Sequence, residues 1–333
     1  MNLQNLINAA KHLPVLLLLC QSSPLFAQPP EPPTHPSKLA VARNADGLLV
    51  TDHDRPVFQY QLTPKSQHGR WPRNNYVHPL YNLDGEVITE DFPDDHGHHR
   101  GIFWAWHQVS VNGVRLGDSW VCQDFQWDVQ SSNFTSPRPS TVQLSAHVHW
   151  KSPAFADADG NAIPVVDEHT TITVHSVVAR HRRIDFDIRL KALVPGVQIG
   201  GSEDEKGYGG FSPRIKLSPG QTFASSAGEI EPIKNSLNAG SWVNIADKNW
   251  GLAILTHPSN PGFPQPWILR RSRSMQNVVY PGPDVTPIST DSDTHLRYSI
   301  IIHRGSHHDS NIPDLQARYV QDNPPATPAA VTE

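Results

Sequence analysis

Between Tyr76 and Gly101 the chain reads YVHPLYNLDGEVITEDFPDDHGHHRG, and within it Asp94, Asp95, His96, His98, His99 and Arg100 occupy seven consecutive positions interrupted only by Gly97. Six of the 19 histidines fall between His68 and His107, with His78 on the same or a neighbouring element. Titratable groups this dense repel one another unless a metal ion, an anionic ligand or mutual Asp–His hydrogen bonding compensates them. Two chemistries follow. If residues 94–99 are extended, Asp94, His96 and His98 point one way and Asp95 and His99 the other. Two imidazoles and a carboxylate on one side would then suit a divalent metal such as non-haem iron, zinc or manganese. In the second chemistry His78, His96, His98 or His99 is a general acid or base, held in the right tautomer by Asp95. Arg100 would then clamp a carboxylate or hydroxyl of the substrate.

Two further stretches carry candidate groups. GGSEDEKGYGGF, from Gly200 to Phe211, is followed by Arg214. Its acids do not suit a phosphate cradle and no strand–helix context follows, so it is not a dinucleotide loop. A glycine-rich loop can instead bring backbone close to a ligand, with Lys206, Tyr208 and Arg214 as hydrogen-bonding side chains and Glu205 as a second candidate carboxylate partner. LTHPSNPGFPQPW, from Leu255 to Trp267, is stiffened by prolines and would hold His257 and Asn260 at low entropic cost. Trp267 is either a sugar-stacking platform or a core tryptophan. The chain has nine tryptophans, and Trp71, Trp104, Trp106, Trp120 and Trp127 lie near the first cluster. Aromatic faces beside carboxylates, histidines and arginines are a common composition of carbohydrate sites.

The elements that must position these groups are strands. Val142, Leu144, Ala146, Val148 and Trp150 alternate with Gln143, Ser145, His147 and His149, which places the two histidines on the solvent face. Ile184, Phe186, Ile188 and Leu190 alternate with Asp185, Asp187, Arg189 and Lys191; Leu296 to Ile302 and Phe58 to Leu62 repeat the pattern. Turn dipeptides such as Asp84-Gly85, Asn112-Gly113 and Asp159-Gly160 separate them. Helix is nearly absent, the best candidate being a short turn around Asp314–Val320. This patterning predicts an all-β chain forming one large antiparallel two-sheet sandwich, or a barrel-like variant, over residues 38–312, with the turn and a Pro-rich tail over 313–333.

The flanks and composition bound the setting. Residues 1–27 read as an export signal: Lys11 precedes the apolar run Leu13–Cys20, and cleavage is expected near Ala27. Residues 28–37 form a Pro-rich spacer, and no membrane span is expected after the signal. The chain is therefore expected in the periplasm or secreted. A formal charge of −5 without a basic stripe argues against nucleic acid as a partner. Cys122 is the one cysteine after the signal, so no internal disulfide is expected, and its strand-like context marks it as a small buried hydrophobe.

The pieces His78-Pro79, Asp91 to Gly101 (DFPDDHGHHRG), Lys206 to Gly210 (KGYGG) and His257 to Pro261 (HPSNP) together resemble the PmoA-like family, over roughly Leu39 to Gly305. That family is a domain of unknown function often labelled "methane oxygenase PmoA". A multi-span membrane subunit does not match a chain without a spanning segment. The resemblance implies a sandwich similar to the galactose-mutarotase-like supersandwich and a role near carbohydrate processing. The expected function is thus an exported enzyme acting on a small-molecule or oligosaccharide substrate by His/carboxylate acid–base chemistry, as an epimerase, lyase or glycosidase. Lys206 and Arg100 would stabilise negative charge. A metal-dependent oxygenase or hydrolase and a non-catalytic sugar-binding protein are the alternatives.

Overall fold

A computed structural model describes residues 38–324 apart from 273 and 274. The expected signal, the spacer and the end of the Pro-rich tail lie outside the described residues. Every strand pairing among those residues is antiparallel, and two large sheets dominate. The eight-stranded sheet runs in the order Leu39–Arg43, Gly47–Asp52, Arg55–Gln61, Tyr76–Leu80, Ile102–Trp106, Gly209–Pro213, Asn277–Val279, Trp267–Ile268. The nine-stranded sheet runs Gln126–Arg138, Thr141–Lys151, Val166–His175, His181–Ala192, Thr294–Arg304, Trp250–Thr256, Trp242–Ala246, Thr222–Ser225, Gly228–Ile230.

The sheets face one another across an aromatic core. Alternation sends Trp104 and Trp106 of one sheet inward against Phe186 and Trp150 of the other, with ring centroids 6.4 and 5.4 Å apart. Phe211 stacks on Tyr298 at 4.4 Å. The same alternation buries Glu168 completely. Its carboxyl oxygens accept from Trp104 Nε1, Trp150 Nε1, Asn75 Nδ2 and Thr170 Oγ1 at 2.7–2.8 Å, so the buried group is satisfied in place and ties the sheets together.

Three sequence expectations need correction. The segment expected to be a short turn is an α-helix, Ile312–Asp322, with Asn311 at its N-cap and Pro313 in its first turn. Ile312 and Tyr319 of this helix pack on Trp242, Ala253, Leu255 and Ile301. That cover explains why Trp250–Thr256 is buried on both faces. Arg55–Gln61 likewise has no wet face: Gln59 and Gln61 are buried, Gln59 bonding Asn44 and Gln61 donating to the His78 carbonyl. Cys122 is buried as expected, but it sits in a turn at φ 60° rather than in a strand. Among the described residues, no helix is long and apolar enough to cross a membrane.

Candidate active site

The Asp/His segment is not extended. Pro93 and the two aspartates favour turns, and two follow in succession, closed by His96 N donating to Pro93 O at 3.1 Å and His99 N donating to His96 O at 2.8 Å. The alternation that an extended stretch would give therefore does not arise. His96, His98 and His99 gather on one side, with ring centroids 4.5–5.6 Å apart, while Asp94 stands exposed. Gly97 allows the second turn to press against Trp71, whose ring atoms would lie 2.0 Å from a Cβ at that position. Behind the turns Arg100 is fully buried. It donates to Asp91, to the Lys65 and Trp71 carbonyls at 3.0 Å and to the Tyr76 hydroxyl, with the Phe92 ring 3.6 Å from its guanidinium carbon.

The histidines form one wall of a cleft of about 430 Å³ over the outer face of the eight-stranded sheet. His107, Trp120, Val121, Lys206, Tyr208, Arg214, Lys234, Arg270 and Met275 complete the lining. The strand Ile102–Trp106 supports the lining from beneath, its Phe103 ring 6.3 Å from His99 and 5.2 Å from Trp120. Trp104 and Trp106 point into the sandwich, and Phe103 and Ala105 point outward to pack with Tyr76, Trp120 and Met275. His107 follows on that outward face. Its Nδ1 lies 2.8 Å from Asp118 and its ring stacks on Trp120 at 5.2 Å. Tyr208 lies against the same indole at 5.5 Å.

Among the described residues no Asp or Glu lines the cleft; the carboxylates stand behind the basic groups. Asp95 accepts from His96 Nδ1 at 2.9 Å and from Arg214 Nη2 at 2.8 Å. Burial would raise the Asp95 carboxyl, but these bonds outweigh it and hold it below its ordinary range. Arg214 also donates to Glu90 at 2.7 Å and reaches His99 Nδ1 at 2.9 Å. A guanidinium only donates, so His99 accepts at Nδ1 and its ring proton is on Nε2. Burial, then the neighbouring His98 and Arg214 charges, drive the His99 pKa far below the ordinary imidazole value. Burial and the charges of His96 and Arg73 bring His98 down to about 4. Both rings are neutral at neutral pH.

The remaining cations differ in their compensation. Lys206 is paired with Asp204 at 2.7 Å. Arg270 donates to the Ile233, Lys234 and Leu269 carbonyls, and among the described residues neither it nor Lys234 has a carboxylate within 4.0 Å. An anionic ligand, or charge developing on one, would find positive potential at this end of the cleft.

A model of the family of unknown function DUF6807 matches residues 48–317, which include every residue lining the cleft. The chain belongs to DUF6807. None of the curated proteins matches the sequence. Among solved structures, galactose 1-epimerase from Lactobacillus acidophilus NCFM is similar at 8% identity and TM-score 0.38, over 81% of this chain and 99% of that one. A putative mutarotase (YeaD) from Salmonella typhimurium is similar at 12% and 0.33, over 82% and 95%. The GalM/aldose epimerase homologue from C. elegans is similar at 9% and 0.30, over 81% and 99%.

Within this DUF6807 chain the structure brings together His96, His98, His99, Lys206, Tyr208 and Arg214 on the cleft, with Asp95 directly behind His96. It places the other sequence candidates elsewhere. Arg100 has its donors turned to Asp91, Tyr76 and two carbonyls, so it is a strut rather than a substrate clamp. His78 lies below the turns with Nδ1 on Thr89 Oγ1 at 2.9 Å. Glu205 is exposed and off the lining. His257, Asn260 and Trp267 are buried: His257 meets Tyr319 of the helix edge-on, Asn260 bonds the Arg297 backbone twice, and Trp267 donates to the Gly240 carbonyl at 2.9 Å. The ligand set Asp94, His96 and His98 does not assemble, because the turn leaves Asp94 in solvent. His107, Trp120, Lys234, Arg270 and Met275 were not read as site residues. His107 was accessible to sequence reasoning, because Phe103, Ala105 and His107 share one face of an aromatic strand.

Proposed function

We propose that this chain is a carbohydrate-active enzyme that moves protons with its cleft histidines, acting as an isomerase or lyase on a sugar carrying a carbonyl or carboxylate. The observation that carries this reading is the pairing of His96 and His99. The Asp95 bond places a proton on His96 Nδ1 and leaves Nε2 as the base, whereas Arg214 leaves His99 with a proton on Nε2 to give. In the proposed step His96 Nε2 takes the proton from the carbon beside the sugar carbonyl. The electron pair moves onto the carbonyl oxygen, where Arg270 and Lys206 oppose the developing charge. For elimination, His99 then gives its Nε2 proton to the departing oxygen on the neighbouring carbon, and the proton taken by His96 restores the imidazolate left on His99. For isomerisation through an enediol, His99 gives that proton to the carbonyl oxygen instead, and His96 returns its own to the adjacent carbon on the same face. Trp120 and Tyr208 would supply the apolar surface for a sugar ring.

Glycosidic cleavage, one of the expected chemistries, fits less well. Its usual form needs two carboxyl groups flanking the scissile bond, and among the described residues no carboxyl group lines this cleft. The export signal and the PmoA-like relation enter as part of the same proposal: the enzyme would work outside the cytoplasm on imported or surface-derived sugars. A panel of keto-sugars, uronic acids and their glycosides tests the reading. Formation of an aldose–ketose isomer or an unsaturated product, lost in His96→Ala, is the expected result. Binding across the panel without turnover would instead mark a non-catalytic sugar-binding protein.

A further inference from the structure

The other side of the sandwich carries a second histidine cluster. Strands Thr141–Lys151 and Val166–His175 pair with His147 opposite His169 and His149 opposite Asp167. Alternate residues share a face, so these four side chains form a two-by-two block on the outside of the nine-stranded sheet. All three rings turn Nε2 toward the one carboxylate. His147 bonds Asp167 Oδ1, His149 lies 3.6 Å from the same oxygen, and His169 lies 3.2 Å from Oδ2. The rings crowd as a result: His147 and His149 have centroids 5.0 Å apart, and His147 and His169 stack at 4.4 Å.

The donor atoms of His147, His149 and Asp167 all lie within 4.8 Å of one another, and no other group of three or more His, Cys, Asp or Glu does so among the described residues. Around a tetrahedral zinc with ligand distances of about 2.0–2.1 Å, neighbouring donors stand about 3.3 Å apart. Side-chain movements of an ångström on a half-exposed surface would close the shell. Neighbouring charges leave the block to itself: Asp128 is held by Lys151 at 2.6 Å, and Arg189 on the next strand turns to Asp187 at 3.1 Å.

We propose that His147, His149 and Asp167 bind a divalent transition metal of the zinc class, with His169 fixing the second oxygen of Asp167. Two imidazoles and one carboxylate select zinc, nickel or copper over magnesium or calcium, which prefer oxygen-only shells. The hydrogen bond from His169 would orient the carboxylate ligand, as partners behind a metal's ligands commonly do. The site stands apart from the cleft and does not depend on what the cleft does. It also revises the solvent-exposed role that alternation alone gives His147 and His149.

Calorimetric titration of tag-free, chelator-stripped protein with zinc chloride tests the proposal. We expect one equivalent to bind, at least about 100-fold more weakly in His147→Ala and in Asp167→Ala, and roughly 10-fold more weakly in His169→Ala. His98→Ala, in the cleft on the opposite side of the sandwich, should bind zinc as the parent does. His149→Gln, which keeps the strand filled, should show the same loss with an unchanged circular dichroism spectrum, so that misfolding is not mistaken for a missing ligand. Absence of stoichiometric zinc, or binding that survives Asp167→Ala and disappears in His98→Ala, would overturn the assignment.

Discussion

His96 and His99 stack face to face, with ring centroids 4.7 Å apart and planes 7° from parallel, yet they carry their protons on different nitrogens. Asp95 accepts from His96 at Nδ1, while Arg214 donates to His99 at Nδ1. A proton acceptor and a proton donor therefore lie side by side on one wall of the cleft, and Arg214 connects them because it binds both Asp95 and His99. Long-range ¹⁵N–¹H imidazole spectra at pH 7.5 should show His96 protonated at Nδ1 and His99 at Nε2. Arg214→Lys cannot reach Glu90, Asp95 and His99 together, and should scramble the His99 tautomer. A His99 protonated at Nδ1 in the parent protein would contradict the arrangement.

Asp95 and Glu205 separate structure from composition. Both are acids in stretches that the sequence marks as candidate sites, but of the two only Asp95 touches a cleft histidine. Asp95→Asn should lower kcat by roughly 100- to 10,000-fold, with KM changed little, because it weakens the hold on the His96 tautomer. Glu205→Gln should leave kcat within about twofold. Equal effects of the two substitutions would mean that the carboxylates act only through net charge.

Glu168 makes a prediction about stability rather than activity. Four donors converge on its carboxylate inside the sandwich. A glutamine there turns an amide NH₂ against at least one of those donors. Glu168→Gln should lower the unfolding free energy by about 3 kcal/mol in urea titration, leaving a buried N–H unpaired. A change below about 1 kcal/mol would mean that the network can rearrange around the amide.

Acid should destabilise the fold before it reaches the ordinary carboxylate range. His98 is held down to about 4 from 6.5, and His303 is likewise pushed down to about 4, in both cases by burial first. Between those limits the unfolded chain binds protons that the folded chain refuses, so stability falls as pH drops from about 6.5 to 4. Asp95 and Asp204, held below their ordinary values, add losses of the same sign only below that window. The melting temperature should be level above pH 7 and fall steadily to pH 4, less steeply in His98→Gln. A flat profile down to pH 4 would show that these histidines titrate normally.

The sheets were legible because alternation is a local signal. Val142 to Trp150 and Ile184 to Leu190 each alternate between a buried and a more exposed face over a long strand. Leu296 to Ile302, expected to do the same, is instead buried on both faces, with Ile301 under the helix Ile312–Asp322. What escaped depended on contacts made from far along the chain. His257 and Asn260 look like a rigid functional loop until the helix Ile312–Asp322 and the strand carrying Arg297 close over them. Arg100 reads as a substrate clamp because its partners Asp91, Lys65 and Trp71 meet it only in the folded chain. The Asp/His segment is legible as a cluster but not in its geometry: Pro93 and Gly97 favour consecutive turns over the extended form, and two turns put His96, His98 and His99 on one side.

Proton transfer by His96 to and from a sugar carbon is the central claim, and solvent exchange reads it directly. The protein would be incubated in D₂O with keto-sugars and uronic acids while the C–H signals beside the carbonyl or carboxylate are followed by NMR. Deuterium should enter one such position, or an alkene should form there, with the rate reduced at least about 100-fold in His96→Ala. Turnover of a sugar at the parent rate by His96→Ala, or conversion without any exchange or elimination at carbon, would contradict the account.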